Sequence, residues 1–546
     1  MDDFHFIDGP STDALSAERV GGKAANLAFM ARLGLPIPPA FVLPVDLCAA
    51  VNADKRKASA RLRDLIDRGM ERLEVVTGRR FGDRRRPLLV SVRSGAARSM
   101  PGMLETVLDV GATEEAVAGL VRLTGNPRFA RDCRRRFLEG WAETVLGLDP
   151  APLDRHLADL LGSEGVRSER ALDLRAMDDL VVAALHHVET AGHTVPIGPR
   201  DQLEQAVHRV FASWNAPKAV SYRRMNRLDD LEGTAVTVQA MVFGNADSHS
   251  AAGVAFSRDP SSGTATPVIE LLFEAQGEDV VSGRRVPADG EALAARLPLV
   301  HGALVAALDR LERAAGDVQD VEFTVESGRL WFLQTRAAKR SPRAALRIAV
   351  DLVAEGVIVE KEAVARLADF DETALDETIF VAEPADPWAR GLGASPGVAV
   401  GRLAASVEEA QRLAAAGDPV VLVRPDTSTA DIDGFAAATA IVTASGGRTS
   451  HAALVARQLG RPCVVACEAL RFDVHPGRIH GAVEASVGDW LSVDGNHGLV
   501  YLGRLETTIR RPEAEIDVWN GWKTRRKRKR GKEPSGDRRR VSAARN

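Results

Sequence analysis

The stretch DVEFTVESGRLWFLQTR (320–336) constrains the fold more than any other: two runs of alternating character flank Glu326-Ser327-Gly328. Period-two alternation marks a strand buried on one face, and a glycine between two such runs closes a hairpin. A three-residue loop with Gly328 in the left-handed region predicts Asp320 opposite Gln334 and Glu322 opposite Phe332. The alternation places Asp320, Glu322, Gln334 and Arg336 on one face, a polar set for strands otherwise so apolar. Oxygens from Glu322 and Gln334 suit Mg²⁺, which keeps waters and draws its remaining ligands from phosphates. Arg336 would neutralise those phosphates. The alternative is a half-exposed sheet with a polar outer face.

Upstream, cations stand at the ends of regular elements. In VGGKAANLAFMARLGLPIPPAFVLP (20–44) a glycine pair precedes Lys23 at the start of a helix that Gly34 ends, and a proline-bound run enters a strand. Gly21 and Gly22 make backbone that a phosphate can approach, and Lys23 would pin that phosphate. The G-x4-G-K-[ST] loop is absent, and a solvated lysine at a helix start is the alternative. In PLLVSVRSGAARSMPGMLETVLDVG (87–111) a buried strand delivers Arg93 to its end, where Arg98 and a Ser/Gly/Ala loop offer an anion nest. A surface ion pair is the competing reading. Residues 112–210 carry 3.6-residue periodicity and read as helical scaffold. GTAVTVQAMVFGN (233–245) and GVAFSRDPSSG (253–263) suggest an antiparallel sheet. VIELLFEAQGEDVVSG (268–283) places Glu278 and Asp279 after a glycine, either to meet a ribose or metal or as a solvated turn.

After a helical connector (341–389), strands alternate with short helices to about residue 503, an independent α/β domain of ordinary size. Within it, GGRTSHAALVARQLG (446–460) puts His451 where a glycine turn becomes a helix, with Thr449 or Ser450 as cap and Gly460 as stop. The free N–H groups and positive dipole end there stabilise an anion, such as phosphate carried on imidazole. They also favour the neutral, nucleophilic ring. A histidine that merely serves the cap is the alternative.

Composition excludes several classes. The four cysteines (Cys48, Cys133, Cys463, Cys467) are scattered, and fit neither a disulfide framework nor a zinc site. No run approaches the roughly 20 apolar residues of a membrane span, and MDDFHFIDGP lacks the layout of a signal peptide. A cytoplasmic protein with no membrane contact is expected. The net charge of −4 is asymmetric: residues 523–546 hold twelve Lys/Arg against two acids, which leaves −14 on the rest. So acidic a body excludes a general nucleic-acid binder and assigns any polyanion contact to the basic tail, 506–546, expected to be disordered.

Together GGKAANLA (21–28), VSVRSGAARSMPGM (90–103), TAVTVQAMVFGN (234–245), AQGEDVVSG (275–283), DVEFTVESGRLWFLQTR (320–336) and GGRTSHAALVAR (446–457) resemble the pyruvate, phosphate dikinases of the phosphoenolpyruvate-utilising family. The resemblance runs over residues 1–505 in the family's order. It implies a multidomain α/β and α+β protein: an ATP-grasp nucleotide-binding domain from 1–111 and 211–340, a mostly helical subdomain at 112–210, the connector, and a swivelling phosphohistidine domain at 390–505. It implies that His451 takes a pyrophosphoryl group from ATP, releasing AMP, and that inorganic phosphate takes the outer phosphoryl group, leaving pyrophosphate and phosphohistidine. By motif position it implies phosphate-binding and catalytic roles for Lys23, Arg93 and Arg336, and Mg²⁺ ligation by Glu322 and Gln334. Glu278 and Asp320 are implied as further ATP contacts, and Gln239 and Met241 as neighbours of the adenine. Arg98 and the SMPGM turn are implied beside the incoming phosphate, and Thr449 matches a position phosphorylated for regulation in plant relatives. Family members continue into an α/β barrel that binds pyruvate and phosphoenolpyruvate. This sequence ends about 40 residues after the histidine domain, so the phosphoryl group is expected to pass to pyruvate on a separate barrel chain. A different small-molecule or protein acceptor, or a non-catalytic ATP-binding scaffold, are the other readings.

Overall fold

Two five-stranded antiparallel sheets organise the N-terminal part of the chain. The first joins β1 (His5–Ile7), β2 (Ala40–Leu43), β3 (Val90–Gly95), β4 (Thr106–Val110) and β5 (Ala235–Ala240) in the order β1-β2-β5-β3-β4. The second joins β6 (Ala251–Phe256), β7 (Val268–Phe273), β8 (Ala288–Asp289), β9 (Gln319–Glu326) and β10 (Arg329–Ala337) in the order β8-β7-β6-β9-β10. The neighbouring strands expected to share one sheet, 235–240 and 251–256, therefore lie in different ones. The computed structural model describes residues 4–530 except 54, 99, 101, 102, 167, 282–284, 369, 371, 383–385, 427–431, 449 and 474–476. Most of the SMPGM turn, Thr449 and the tail beyond 530 thus lie outside the described residues, and His451 is described in its backbone alone.

The β9–β10 hairpin departs from expectation in its register. Ser327 and Gly328 both take positive φ, 48° and 79°, the two-residue type I′ connection that follows strand twist. Pairing then runs Glu326↔Arg329 up to Phe323↔Phe332, shifts by one residue at Leu333, and continues as Glu322↔Gln334 and Asp320↔Arg336. A tighter turn and a bulge replace the predicted three-residue loop, and the four polar residues still share a face because partners across a ladder point the same way.

Helix α1 (Ala17–Arg32) packs on both sheets: Val20, Ala24, Leu27 and Ala31 join Val321, Phe323 and Phe332 in one core. The helical segment between β4 and β5 is built as its periodicity predicts. Its central helix α2 (Pro127–Gly140) starts with Asn126 accepting from the Phe129 N–H at 3.0 Å and Pro127 in the first turn, and buries Phe129, Phe137 and Leu138.

The C-terminal unit is an eight-stranded mixed sheet. Its strands are β11 (Ala389–Arg390), β12 (Leu392–Ser395), β13 (Val398–Ala404), β14 (Val420–Arg424), β15 (Ala440–Thr443), β16 (Cys463–Val465), β17 (Trp490–Asp494) and β18 (Leu499–Leu502), in the order β11-β18-β17-β13-β14-β15-β16-β12. β13 to β16 run parallel and are buried on both faces, by separate apolar clusters. Helix α3 (His451–Leu459) crosses from β15 to β16, burying Ala452, Ala453 and Ala456.

The tail was expected to be disordered from residue 506, and here the structure differs. Residues 507–510 pair antiparallel with 377–380, and Glu513–Arg530 form a helix lying on the connector helices Pro342–Ala354 and Glu360–Arg366. Charge masked an apolar stripe: Ile516, Trp519 and Trp522 are buried with Leu346, Leu352 and Leu367. Trp519 meets Phe370 edge-on at 6.0 Å, and Lys523 lies over its ring. Truncating Trp519 to Ala should destabilise this unit by about 3–5 kcal/mol, read as an earlier unfolding transition in denaturant. An unchanged transition would mean that the helix contributes nothing to the fold.

Candidate active site

Lys23 owes its position to a break in helix α1. Gly21 takes φ 76°, ψ 156°, splitting the helix, and a Cβ there would stand 1.8 Å from the carbonyl oxygen of Gly95 at the end of β3. The Gly22 N–H donates to the Ala96 carbonyl at 2.9 Å. Gly21 is therefore required by packing against the strand end. Its effect is to start a fresh helical segment at Lys23 beside the strand that carries Arg93.

The two sheets turn polar faces to one another at this point. On the first, Arg93 pairs with Thr237 and Ser91 with Gln239, while Val90, Val92, Val236 and Val238 fill the opposite, apolar face. On the second, Asp320, Glu322, Gln334 and Arg336 share the facing set. An ion pair joins the sheets, Arg93 Nη2 to Glu322 Oε2 at 3.1 Å, with both side chains largely buried. Arg336 Nε donates to Asp320 Oδ2 at 2.7 Å, and Asn26 Nδ2 of α1 ties the helix to the Thr335 carbonyl at 2.8 Å.

The electrostatics follow from this packing. Burial, reinforced by Arg93 and Arg336, pushes the Lys23 ammonium down to about 8, against the pull of Glu322. Burial alone would raise Glu322, yet Arg93, Arg336 and Lys23 hold it below its ordinary value. Asp320 is raised by burial, with Arg336 opposing. Three cations thus converge on two carboxylates inside a cleft, an arrangement short of one negative charge. Among the described residues, two buried oxygens of the cleft, Gln334 Oε1 and Asp320 Oδ1, have no hydrogen-bond partner. Buried polar atoms of this kind are rare without a ligand or water to satisfy them. Gln334 Oε1 is on the residue directly across from Glu322, so the donor set fits Mg²⁺ with two protein oxygens and the rest from water or phosphate.

Not every predicted residue joins this group. Gln239 does, accepting from Arg93 Nη1 at 3.5 Å and donating to the Pro38 carbonyl at 3.1 Å. Met241 follows the end of β5, bonded through its N–H to the Leu89 carbonyl, and packs partly buried on the first core. Glu278 is ion-paired instead to Arg136 of α2, half-exposed, and Asp279 grips the same guanidinium through two bonds of 3.0 Å. Those acids line a separate charged cavity of about 510 Å³ between α2 and the second sheet, with Asp132, Arg135 and Arg285. The glycine before Glu278 pointed to a turn, and nothing in the local sequence announced a partner 142 residues away. Arg98 is exposed and pairs weakly with Asp230 at 3.4 Å.

The loop before α3 lies against the second sheet. Glu270 Oε1 on β7 accepts the Arg448 N–H at 2.6 Å. Gly446 takes φ 95°, and a Cβ on Gly447 would stand 2.6 Å from Pro287 Cγ and 2.9 Å from Glu270 Oε2. The second glycine is therefore demanded by contact between the two units. Ser450 occupies the N-cap in extended conformation but makes no side-chain cap bond, and its buried Oγ has no partner among the described residues. Gly460 closes the helix in the left-handed region as read from the sequence. Glu270 carried a signal that the motifs overshadowed: a lone acid inside VIELLF, where a buried charge needs a partner.

Register relates this contact to the cleft. Gln334, Glu322, Val254 and Glu270 form one row across β10, β9, β6 and β7, each directly opposite the next. Row neighbours share a face, so Glu270 lies two strand spacings, roughly 10 Å, from Glu322 on that face.

Residues 53–296 match the "Pyruvate phosphate dikinase, AMP/ATP-binding domain" and residues 416–498 the "PEP-utilising enzyme, mobile domain". Among curated proteins, the pyruvate, phosphate dikinase of Rhizobium meliloti (strain 1021) is 41% identical over 508 residues, 89% of this chain and 56% of its own length. That of Clostridium symbiosum is 40% identical over 497 residues, again 89% and 56%. The chloroplastic protein of Mesembryanthemum crystallinum is 39% identical over 512 residues, 92% and 53%. The chain spans about half the length of these relatives. Among solved structures, one of an Enzyme I protein matches 20% of this chain and 38% of its own at 26% identity and a TM-score of 0.12, too slight a likeness to argue from. Among the described residues no helix is long and apolar enough to cross a membrane. Over the span it covers, with both matched domains in order and identity near 40%, the chain is similar to the pyruvate, phosphate dikinases.

Proposed function

We propose that this chain is the nucleotide-binding and histidine-carrying part of an ATP-dependent phosphotransferase. The two sheets act as an ATP-grasp clamp, and the C-terminal unit swivels to carry His451 between the clamp and an acceptor. The observation that carries this reading is the row from Gln334 and Glu322 to Glu270, which seats the loop preceding His451 within roughly two strand spacings of the cleft.

ATP enters between the sheets, its phosphates replacing the missing negative charge among Lys23, Arg93 and Arg336. Glu322 and Gln334 would hold Mg²⁺, which supplies further neutralisation of phosphate oxygens when bound. Arg93 leaves Glu322 for a phosphate oxygen and Arg336 leaves Asp320, so the cations pass from carboxylates to phosphates. His451 takes the pyrophosphoryl group as AMP departs. Inorganic phosphate takes the outer phosphoryl group, leaving pyrophosphate and phosphohistidine at the N-terminus of α3, where free N–H groups favour the anion. Transfer of this kind needs in-line positioning and charge neutralisation, which the cluster supplies. The final acceptor is pyruvate, bound outside the units described above or on a separate barrel chain.

Label from the β-phosphate of ATP should appear on the protein, acid-labile and base-stable, and be absent in His451→Ala; label retained by that variant would overturn the assignment. Gly447→Ala should leave ATP affinity within about twofold while slowing labelling at least about tenfold, because the added methyl meets Pro287 and Glu270 and not the nucleotide. Equal rates in rapid quench would refute the docking role.

The lowered Lys23 value has a thermodynamic sign. Between about 8 and its ordinary 10.5, the unfolded chain holds a proton that the folded cleft has released. The buried ammonium therefore costs stability below about pH 8, a cost relieved as pH rises through this window. Phosphates beside Lys23 should raise its value again, so ATP binding near pH 8.5 should take up protons. Calorimetry in two buffers of different ionisation enthalpy reads this uptake. An undiminished uptake in Lys23→Met would remove Lys23 from the phosphate site.

A further inference from the structure

Six residues after His451, helix α3 buries an arginine whose electrostatic partners belong to another domain. Arg457 is 5% exposed. Its Nη2 donates to the Arg448 carbonyl, ahead of its own helix, while Nε and Nη1 have no hydrogen-bond partner among the described residues. The guanidinium lies 6.0 Å from the ring centre of Phe256 on β6, and Phe256 is directly opposite Asp320 on β9. The carboxylates acting on it, Glu270, Asp320 and Asp259, all come from the second sheet and the turn after β6. Asp320 is buried in turn, with Oδ2 taken by Arg336 and Oδ1 unpartnered. A guanidinium with two unused nitrogens and a carboxylate with an unused oxygen thus flank one seam between the domains, with Phe256 against both.

We propose that Arg457 is a positioning residue that seats the histidine helix on the nucleotide domain through Asp320, so that the state of Asp320 in the cleft governs the hold on His451. Resting on the reading above, the device works by exchange. In the empty cleft Arg336 satisfies half of Asp320. When phosphates draw Arg336 away, Asp320 is left with a full unpaired charge, and Arg457 is the cation on the other side of the seam that can answer it. The seat tightens as ATP arrives and loosens as pyrophosphate leaves and Arg336 returns, timing the departure of the phosphorylated helix. Arg457 touches neither nucleotide nor the reacting atoms.

The test compares wild type, Arg457→Gln, Arg457→Lys, Asp320→Asn and the double variant Arg457→Gln/Asp320→Asn. Arg457→Gln should bind ATP within about twofold of wild type by calorimetry yet label His451 at least about tenfold more slowly at saturating ATP, with Arg457→Lys recovering part of the rate. A merely structural role would lower affinity and rate together. The double variant should be no slower than the slower single variant; losses that multiply would show independent residues and overturn the proposal. Wild-type labelling in Arg457→Gln would also overturn it. Small-angle scattering with a non-hydrolysable ATP analogue in the cleft, where the seat is tightest, separates this proposal from the functional reading. If wild type itself never labels, the phosphotransfer reading fails. A wider interdomain distance distribution in Arg457→Gln would still support the seat, and an unchanged one would refute it. Should Arg457→Gln not fold, the same scattering comparison on Asp320→Asn decides.

Discussion

The ion pair between Arg93 and Glu322 is the contact on which the rest of the cleft depends. It is a side-chain bridge between two sheets that also share an apolar core, in which Ala40 and Val42 of the first join Val321 and Phe323 of the second. A buried pair of this sort is a weak source of stability, since desolvation of both ions offsets most of their attraction. Its value here lies in what surrounds it. With Lys23 and Arg336 adjoining, Arg93 belongs to a group of three cations, and Glu322 is held ionised despite burial. Neither side chain can lose the other without leaving a buried charge unpaired, so a ligand entering here must bring both positive and negative charge. A nucleotide polyphosphate with its metal is a ligand of that description.

The same constraint explains the glycines around the site. Gly21 lets α1 touch the end of β3 and turn Lys23 toward Arg93, and Gly447 lets the loop before α3 lie against Glu270 and Pro287. Each is a place where two pieces of protein backbone or side chain approach too closely for a Cβ.

The sequence disclosed what depends on short-range periodicity. The shared face of Asp320, Glu322, Gln334 and Arg336 survived an error in the register, because alternation fixes the face while the turn fixes the partner. Helix α3 began and ended where the serine and Gly460 said it would. What stayed hidden was set by contacts distant in the chain. Glu278 answers Arg136 across 142 residues, an ion pair that no spacing rule reaches. The basic run after 523 suggested disorder, yet Ile516, Trp519 and Trp522 begin a helix just before it, and three buried side chains outweigh the charge that follows. Glu270 and Arg457 drew no expectation from the sequence, because what each faces lies in the other domain.

Those two residues bear on how a histidine helix can be both held and released. A large apolar interface would fix the C-terminal unit in place, whereas the seam against the second sheet includes a carboxylate that accepts one backbone N–H and an arginine with two unused nitrogens. Polar contacts of this kind are directional and give way when either partner is offered something better. The row from Gln334 to Glu270 runs across four adjacent strands of one rigid sheet, so the cleft and the seat cannot drift relative to one another. On the proposed reading, motion is left to the C-terminal unit, and its hold is adjusted at the seam through the charge on a single residue of the cleft. Asp320, bonded to Arg336 on one oxygen and open on the other, has that position.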